Sequence, residues 1–253
     1  MESLETYFAI YLAEFSNYFF FAAGAFLIFY VLFKKRWRHK KIQLRHPKNK
    51  DFFREIVYSL ITLLIFAGVG LLVVHSPVTA YTQIYFDIDA YPMWWYWMTF
   101  PLMLIIHDTY FYWMHRAIHH PSLFRHVHLV HHKSTNPSPW AAYAFHPWEA
   151  ILEAAIFPIF VFIMPVHLSA VFLFFLFQIG YNVYGHLGYE LYPKGFNKHW
   201  LGKWINTSVH HNLHHKHFDN GYGLYFTFWD RVMGTMAVQY DDTFDEVKSR
   251  VSE

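Results

Sequence analysis

The polarity pattern of the chain is a series of long, almost uncharged stretches separated by short polar segments. The apolar stretches cover residues 7–33, 55–75, 93–114 and 152–184. A helix of about 20 apolar residues crosses a hydrocarbon core of roughly 30 Å, so each of the first three predicts one span. The fourth is interrupted by Pro158 and Pro165, and it predicts a helical hairpin that turns near MPVHL. The pattern predicts an all-α integral membrane protein with about four or five membrane-embedded helices.

Lysine and arginine are concentrated between the first two apolar stretches. Residues 34–50 contain nine of them, and none lies between Arg54 and Arg116. Basic loops mark the cytoplasmic side of a multi-pass protein. This asymmetry predicts that the polar regions 115–150 and 186–236 form a cytoplasmic cap on the membrane helices.

The termini complete this picture of a single membrane domain over residues 1–253. The acidic start of the chain lacks the basic n-region of a cleaved signal peptide, so the first apolar stretch is expected to remain as an anchor. Residues 241–253 form a charged tail. A bacterial inner membrane and an endoplasmic reticulum membrane both fit this topology.

Composition limits the chemistry. The chain is 55% hydrophobic and 15% charged with a net charge of +2, which does not suggest a nucleic-acid partner. It contains no cysteine, so disulfides, thiolate-bound zinc and cysteine-held iron–sulfur clusters are excluded. Any metal bound by this chain must be held by nitrogen and oxygen.

Histidines supply that nitrogen in three clusters with helical spacing. The clusters are His115 and His119; His128, His131 and His132; and His211, His214 and His215. Residues three and four apart share one face of a helix. Eight such histidines exceed the four ligands of one tetrahedral ion, so two adjacent metal ions are the simpler interpretation. An all-nitrogen site suits iron, zinc or copper.

Further polar residues near these clusters are candidates for a supporting role or for additional ligation. Asp108 and Glu190 are predicted to accept hydrogen bonds from the second ring nitrogen of a ligand. The additional histidines in question are His107, His120, His146, His199 and His210. His120 and His210 leave the register of two clusters open, because each directly adjoins a cluster member.

Several motifs together resemble the fatty acid hydroxylase superfamily, and within it the sterol desaturase-like branch. They are HDTYFYWMHRAIHH, FRHVHLVHHKS, FHPWE, GHLGYELYP and HHNLHH followed by NGYGLYFTFWDRVMGT, and they cover about residues 95–236. The resemblance implies a membrane-bound non-haem enzyme with two iron ions, which uses O₂ and two supplied electrons to hydroxylate or desaturate a lipid. It implies the eight clustered histidines as ligands, adds His186 near the metals, and assigns no catalytic side chain beyond them.

The implied partners are a sterol-like or fatty-acyl lipid and a separate electron donor, cytochrome b5-like or ferredoxin-like, since no fused redox segment is recognised. Hydroxylation and desaturation, the position oxidised and the oligomeric state remain open. A histidine-rich metal transporter or metal-binding membrane protein is an alternative, although nearly uncharged spans favour a fixed site. Zinc-dependent hydrolysis, with Glu149 or Glu190 as base, is a third.

Overall fold

The computed structural model describes residues 2–251, which fold mainly into helices. The helices are α1 (Glu2–Phe26), α2 (Asn49–Val74), α3 (Met93–Ile118), α4 (Pro121–Val127), α5 (Leu129–His132), α6 (Pro147–Ala154), α7 (Ile156–Ile163), α8 (Leu168–Gly185), α9 (Ser208–His217), α10 (Phe228–Val232) and α11 (Tyr240–Ser249). A π-helical segment over Leu27–Leu32 extends α1, and the described strands are β1 (Ile84–Tyr85) and β2 (Val166–His167). The predicted all-α class is confirmed. The last two positions of the predicted tail lie outside the described residues.

Three of the described helical segments are long and apolar enough to cross a membrane. They are Ser3–Leu32, α2 and α8, with mean hydropathies of 1.7, 2.6 and 1.4. Helix α3 is as long as α2, at 26 residues, but its tyrosines, histidines and Asp108 make it more polar. The protein is therefore an integral membrane protein, and four or five embedded helices stays a prediction.

The apolar stretch 152–184 contains a hairpin with one additional break. Helix α7 ends at Ile163 and α8 begins at Leu168, so the turn lies at the predicted MPVHL segment. The interruption predicted at Pro158 appears as a break at Ala155, between α6 and α7, three residues before the proline. Pro158 lies in the first turn of α7, where its missing N–H costs no helical hydrogen bond.

A short parallel ladder closes the end of the bundle that carries this turn. Ile84 of β1 lies opposite Val166 of β2, and Tyr85 lies opposite His167. The connection between α2 and α3 is thereby tied to the turn between α7 and α8. The other end of the bundle carries the histidine-rich cap.

Separate apolar clusters hold the membrane helices together and fix the cap on them. Met103, Phe160 and Phe174 are fully buried where α3, α7 and α8 meet. In the cap, Leu213 of α9 packs in a cluster with Phe244 of α11. Helix α9 is thus held by α11 on one side, and it also contacts α8.

The basic segment 34–50 lies against the same cap. The Nε2 amide of Gln43 donates to Asn212 Oδ1 at 2.9 Å, and Lys41 forms an isolated β-bridge with Tyr189. The segment richest in positive charge and the histidine-rich helix α9 therefore lie at the same end of the bundle.

Candidate metal centre

Nine histidines from four parts of the chain converge into two groups. The five-histidine group contains His115, His119, His128, His132 and His214, and the four-histidine group contains His131, His186, His211 and His215. Within each group the candidate ligand atoms lie within 4.8 Å of one another. These are the nine residues for which the sequence predicted ligation.

The groups adjoin because two helices contribute to both. Helix α5 supplies His132 to the five-histidine group and its neighbour His131 to the four-histidine group. Helix α9 supplies His214 to the first group, and His211 and His215 to the second. The His132 and His215 rings, one from each group, have centroids 4.9 Å apart. Helical spacing thus produces two adjoining nitrogen-lined sites.

The ring nitrogens face one another at short range. In the four-histidine group, His186 Nε2 lies 3.0 Å from His211 Nε2, 3.2 Å from His215 Nε2 and 3.3 Å from His131 Nε2. In the five-histidine group, the Nε2 atoms of His115 and His128 are 3.0 Å apart. His186 Nε2 offers at most one hydrogen or one lone pair, which cannot match three facing nitrogens at once, so hydrogen bonding alone does not account for this arrangement.

Burial keeps these imidazoles neutral. It lowers the pKa of His128, His131 and His132 well below the ordinary value of 6.5, and neighbouring imidazoles lower each pKa further. The pKa values of His211 and His214 are lowered in the same way. A neutral imidazole offers a nitrogen lone pair, so at neutral pH these groups are prepared to bind a cation.

Acceptors outside the groups orient several of the rings. His115 Nδ1 donates to Tyr222 O at 3.0 Å, His214 Nδ1 to Asn220 O at 2.6 Å and His186 Nδ1 to Asn182 O at 2.8 Å. In each case the remaining lone pair is Nε2, which points inward. The tautomer that a metal requires is thus set by the surrounding backbone.

One orienting acceptor is a carboxylate whose role the sequence did not reveal. His128 Nδ1 lies 2.6 Å from Glu149 Oε1, and both side chains are buried. From the sequence, Glu149 is a candidate only for the base of a hydrolytic site. The contact joins the start of α6 to the turn before α5. The two residues are 21 positions apart in the sequence, so helical spacing could not predict that they meet.

Two predicted supporting carboxylates have different partners from those expected. Asp108 Oδ1 accepts from the backbone N–H of Tyr225 at 2.8 Å and of Phe226 at 3.1 Å, and not from a histidine ring. Glu190 Oε2 accepts from Val209 N at 3.0 Å. Within the described residues neither carboxylate has the predicted histidine partner, since each accepts from backbone N–H groups instead. Each carboxylate therefore acts on the site indirectly: it fixes backbone that carries the site residues or flanks them.

The additional candidate histidines lie outside the two groups. His120, His146 and His199 each accept a backbone N–H through Nδ1 where a helix or turn begins. His107 Nδ1 contacts the Tyr225 hydroxyl at 3.0 Å. His210 is buried on α9, and its ring centroid is 5.5 Å from that of Tyr240. The two histidine groups therefore contain His119 and His211, and not His120 or His210.

The NGYG and WDR motifs form one supporting loop. Asp230 Oδ1 accepts from Tyr222 N at 2.9 Å, and Asp230 Oδ2 accepts from Gly223 N at 2.8 Å. A Cβ on Gly223 would lie 2.3 Å from the carbonyl oxygen of Phe226, so only glycine fits. This loop presents the Tyr222 carbonyl to His115.

A mainly apolar cavity of about 570 Å³ lies among α1, α2 and α6–α8. One end reaches His107 and Phe145, and the Phe145 ring centroid is 5.1 Å from that of His131. The other end reaches Phe86 and Leu168, beside the β1–β2 ladder. Cavities of roughly 300–1,000 Å³ accommodate drug-sized molecules. The histidine groups thus lie at one end of a cavity large enough for a small lipid.

Fold and site together define a class: an all-α membrane protein with two adjoining histidine groups beside an apolar cavity. Comparison with known proteins gives the family. The fatty acid hydroxylase family model matches residues 100–235, which include all nine histidines. The chain belongs to the fatty acid hydroxylase family, in its sterol desaturase-like branch.

Similarity to curated relatives supports the assignment to this family and branch. The chain is 34% identical over 230 residues to Delta(7)-sterol 5(6)-desaturase ERG3B of Gibberella zeae, covering 88% of this chain and 67% of the relative. It is 31% identical over 198 residues to lathosterol oxidase of Rattus norvegicus, covering 76% of this chain and 64% of the relative. The chain thus spans about two thirds of the length of these relatives. No solved structure gives a significant match.

Proposed function

We propose that this protein is an O₂-dependent membrane oxidoreductase that holds two iron ions in its histidine groups and desaturates or hydroxylates a lipid. The observation that carries the proposal is the convergence of nine histidines in two adjoining groups at the end of an apolar cavity. Membership of the fatty acid hydroxylase family supports it.

The donor set fits such ions. Ligand nitrogens at about 2.1 Å from one ion lie about 3.0–3.4 Å apart in octahedral or tetrahedral geometry, and the His186 contacts of 3.0–3.3 Å fall in this range. Uncharged nitrogen ligands suit divalent iron, zinc or copper, and two ions suit the family. The ligands would be the five-histidine group for one ion and the four-histidine group for the other.

The side chains of the protein prepare the site in three ways. Glu149, Tyr222 O, Asn220 O and Asn182 O hold the rings in one tautomer. The apolar cavity binds the hydrocarbon part of the lipid and excludes water from it. Aromatic walls fix which carbon lies nearest the histidines, and a shift of about 1 Å in that position can change the rate a hundredfold. When bound, a pair of iron ions supplies the redox chemistry that activates O₂ for cleavage of an unactivated C–H bond.

We propose a sterol-type lipid as the substrate, and desaturation as the outcome. The support is the printed activity of the curated relatives, which are sterol desaturases and a lathosterol oxidase. The electrons would come from a separate donor, cytochrome b5-like or ferredoxin-like. The contact between Gln43 and α9 supports a cytoplasmic metal centre, because it joins the basic segment to the cap.

The first experiment measures metals and products together. Protein purified gently after growth on labelled iron is expected to contain two irons per chain with a coupled dinuclear Mössbauer signal. Membranes supplied with lathosterol, O₂ and an electron donor are expected to yield a product lacking two hydrogens. One zinc per chain, or metal flux through proteoliposomes without O₂ consumption, would refute the proposal.

A further inference from the structure

Two carboxyl or carboxamide side chains on the wall of the apolar cavity are buried and have no role in the metal centre; a third, Glu14 of α1, is only partly buried. Glu153 lies on α6 and is 92% buried, and Gln178 lies on α8 and is 93% buried. Both side chains line the same cavity. A buried polar group without a hydrogen-bond partner is costly, so these two side chains require an explanation.

Their own contacts leave complementary hydrogen-bonding capacity unused. Glu153 has no hydrogen-bond or ion-pair partner within residues 2–251. Gln178 Oε1 accepts from the Tyr143 hydroxyl at 2.8 Å, which fixes the carboxamide. The Nε2 hydrogens of Gln178 have no partner in the described part of the chain. One acceptor and one donor are therefore available to whatever fills the cavity.

We infer that Glu153 and Gln178 bind a hydroxyl group of the lipid substrate, which donates to the Glu153 carboxyl and accepts from Gln178 Nε2. The inference rests on the proposed function for the identity of the ligand as a lipid. A hydroxyl can make both hydrogen bonds at once, whereas a ketone can only accept and a hydrocarbon can make neither. The cavity is thereby suited to a lipid alcohol rather than to a hydrocarbon.

The position of Glu153 also sets the orientation of that alcohol. Glu153 follows Glu149 by one helical turn, about 6 Å along α6, and Glu149 contacts the His128 ring at 2.6 Å. The hydroxyl end of the lipid therefore faces the histidine groups. Its hydrocarbon extends towards Phe86 and Leu168 at the opposite end of the cavity. The carbon presented for oxidation lies only a few bonds from the hydroxyl.

Equilibrium binding to the purified full chain in detergent tests this inference without turnover. The probes are radiolabelled lathosterol, the ketone made by oxidising its hydroxyl, and its deoxy analogue. The wild-type chain is expected to bind the alcohol at least about tenfold more tightly than the deoxy analogue, because binding the latter leaves both protein groups unpaired. Equal binding of the three probes, or binding of none, overturns the inference.

Variants assign the two hydrogen bonds separately. Glu153→Leu is expected to reduce the preference for the alcohol over the deoxy analogue, and Glu153→Gln to keep it, because the amide oxygen still accepts. Gln178→Leu is expected to weaken alcohol and ketone alike. Phe157→Leu, on the apolar cavity wall, is the matched control and should weaken all three probes equally. An unchanged alcohol preference in Glu153→Leu contradicts the assignment.

The outcome is separable from that of the proposed function, since binding needs neither O₂ nor electrons. A chain that discriminates between the probes but oxidises no lipid refutes the oxidase and leaves the hydroxyl site standing. A chain that oxidises lipid without discriminating overturns the hydroxyl site alone. A photoreactive group at the lipid tail should cross-link to Phe86 or Leu168; cross-linking to Phe145 contradicts the orientation.

Discussion

At the scale of single residues, several histidines differ in what their Nδ1 atoms contact. His120, His146 and His199 use Nδ1 to accept a backbone N–H, as capping residues do. His115 and His214 instead use it to donate to a carbonyl, which turns Nε2 towards the other rings. The same residue type is thus either a cap or a prepared ligand.

Replacing one grouped histidine should remove one metal ion. His215→Ala takes a nitrogen from the four-histidine group, so we expect iron content to fall from two to about one per chain and lipid oxidation to be lost. His217→Ala is the matched control on the same helix, since His217 is exposed and outside both groups. Elemental analysis of both purified variants measures the difference. Two irons in His215→Ala would contradict the assignment.

Replacing Glu149 should weaken metal binding without removing a ligand. Glu149→Gln keeps the shape of the side chain but replaces the carboxyl group beside His128 with an amide, so iron affinity should fall about 10–100-fold. Competition with a chelator measures the affinity. Glu246→Gln, on the exposed face of α11, should leave it unchanged. Equal affinity in the two variants would show that the 2.6 Å contact does not tune the site.

The sequence predicted these residues unevenly, for a physical reason. Helical periodicity relates residues three or four apart, so it identified pairs such as His211 and His215. It cannot relate His128 to Glu149 or Glu153 to Gln178, because such contacts depend on tertiary packing. It also could not choose between His210 and His211, since that choice depends on which face of α9 meets α8.

At the scale of elements, α9 is the central part of the cap. Thr207 Oγ1 accepts from His210 N at 3.2 Å, and Glu190 accepts from Val209 N, so two side chains cap its first turn. Apolar length and proline positions predicted the membrane helices and the hairpin turn. The interruption predicted at Pro158 falls three residues earlier, at Ala155, because Pro158 has no N–H to donate to the carbonyl of Ala154.

Gly223, in the loop after α9, should tolerate no side chain. Gly223→Ala would place a Cβ 2.3 Å from Phe226 O, so we expect destabilisation of more than about 2 kcal/mol and loss of bound iron. Gly24→Ala is the matched control, because no atom lies within 4 Å of its added Cβ. This control should change stability by at most about 1 kcal/mol. Thermal unfolding in detergent compares them, and equal midpoints would contradict the clash.

At the scale of the whole molecule, the topology predicts which parts face each side of the membrane. The chain has no cysteine, so single cysteines can be introduced without a background. Lys50→Cys lies in the basic segment, and Asp87→Cys lies beside the β1–β2 ladder. An impermeant maleimide is expected to label Lys50→Cys only from the cytoplasmic face and Asp87→Cys only from the other. Labelling of both from one face would refute the topology.

The two histidine groups draw on segments far apart in the chain, since His115 and His214 are about a hundred positions apart. On the proposed ligation, each ion acts as a cross-link that closes long loops, in a chain that can form no disulfide. The cap is then held by two cross-links that are lost when the ions dissociate. Iron shortage would therefore reduce the lifetime of the protein itself, because the cap of a metal-free chain unfolds more readily and is then cleaved by proteases.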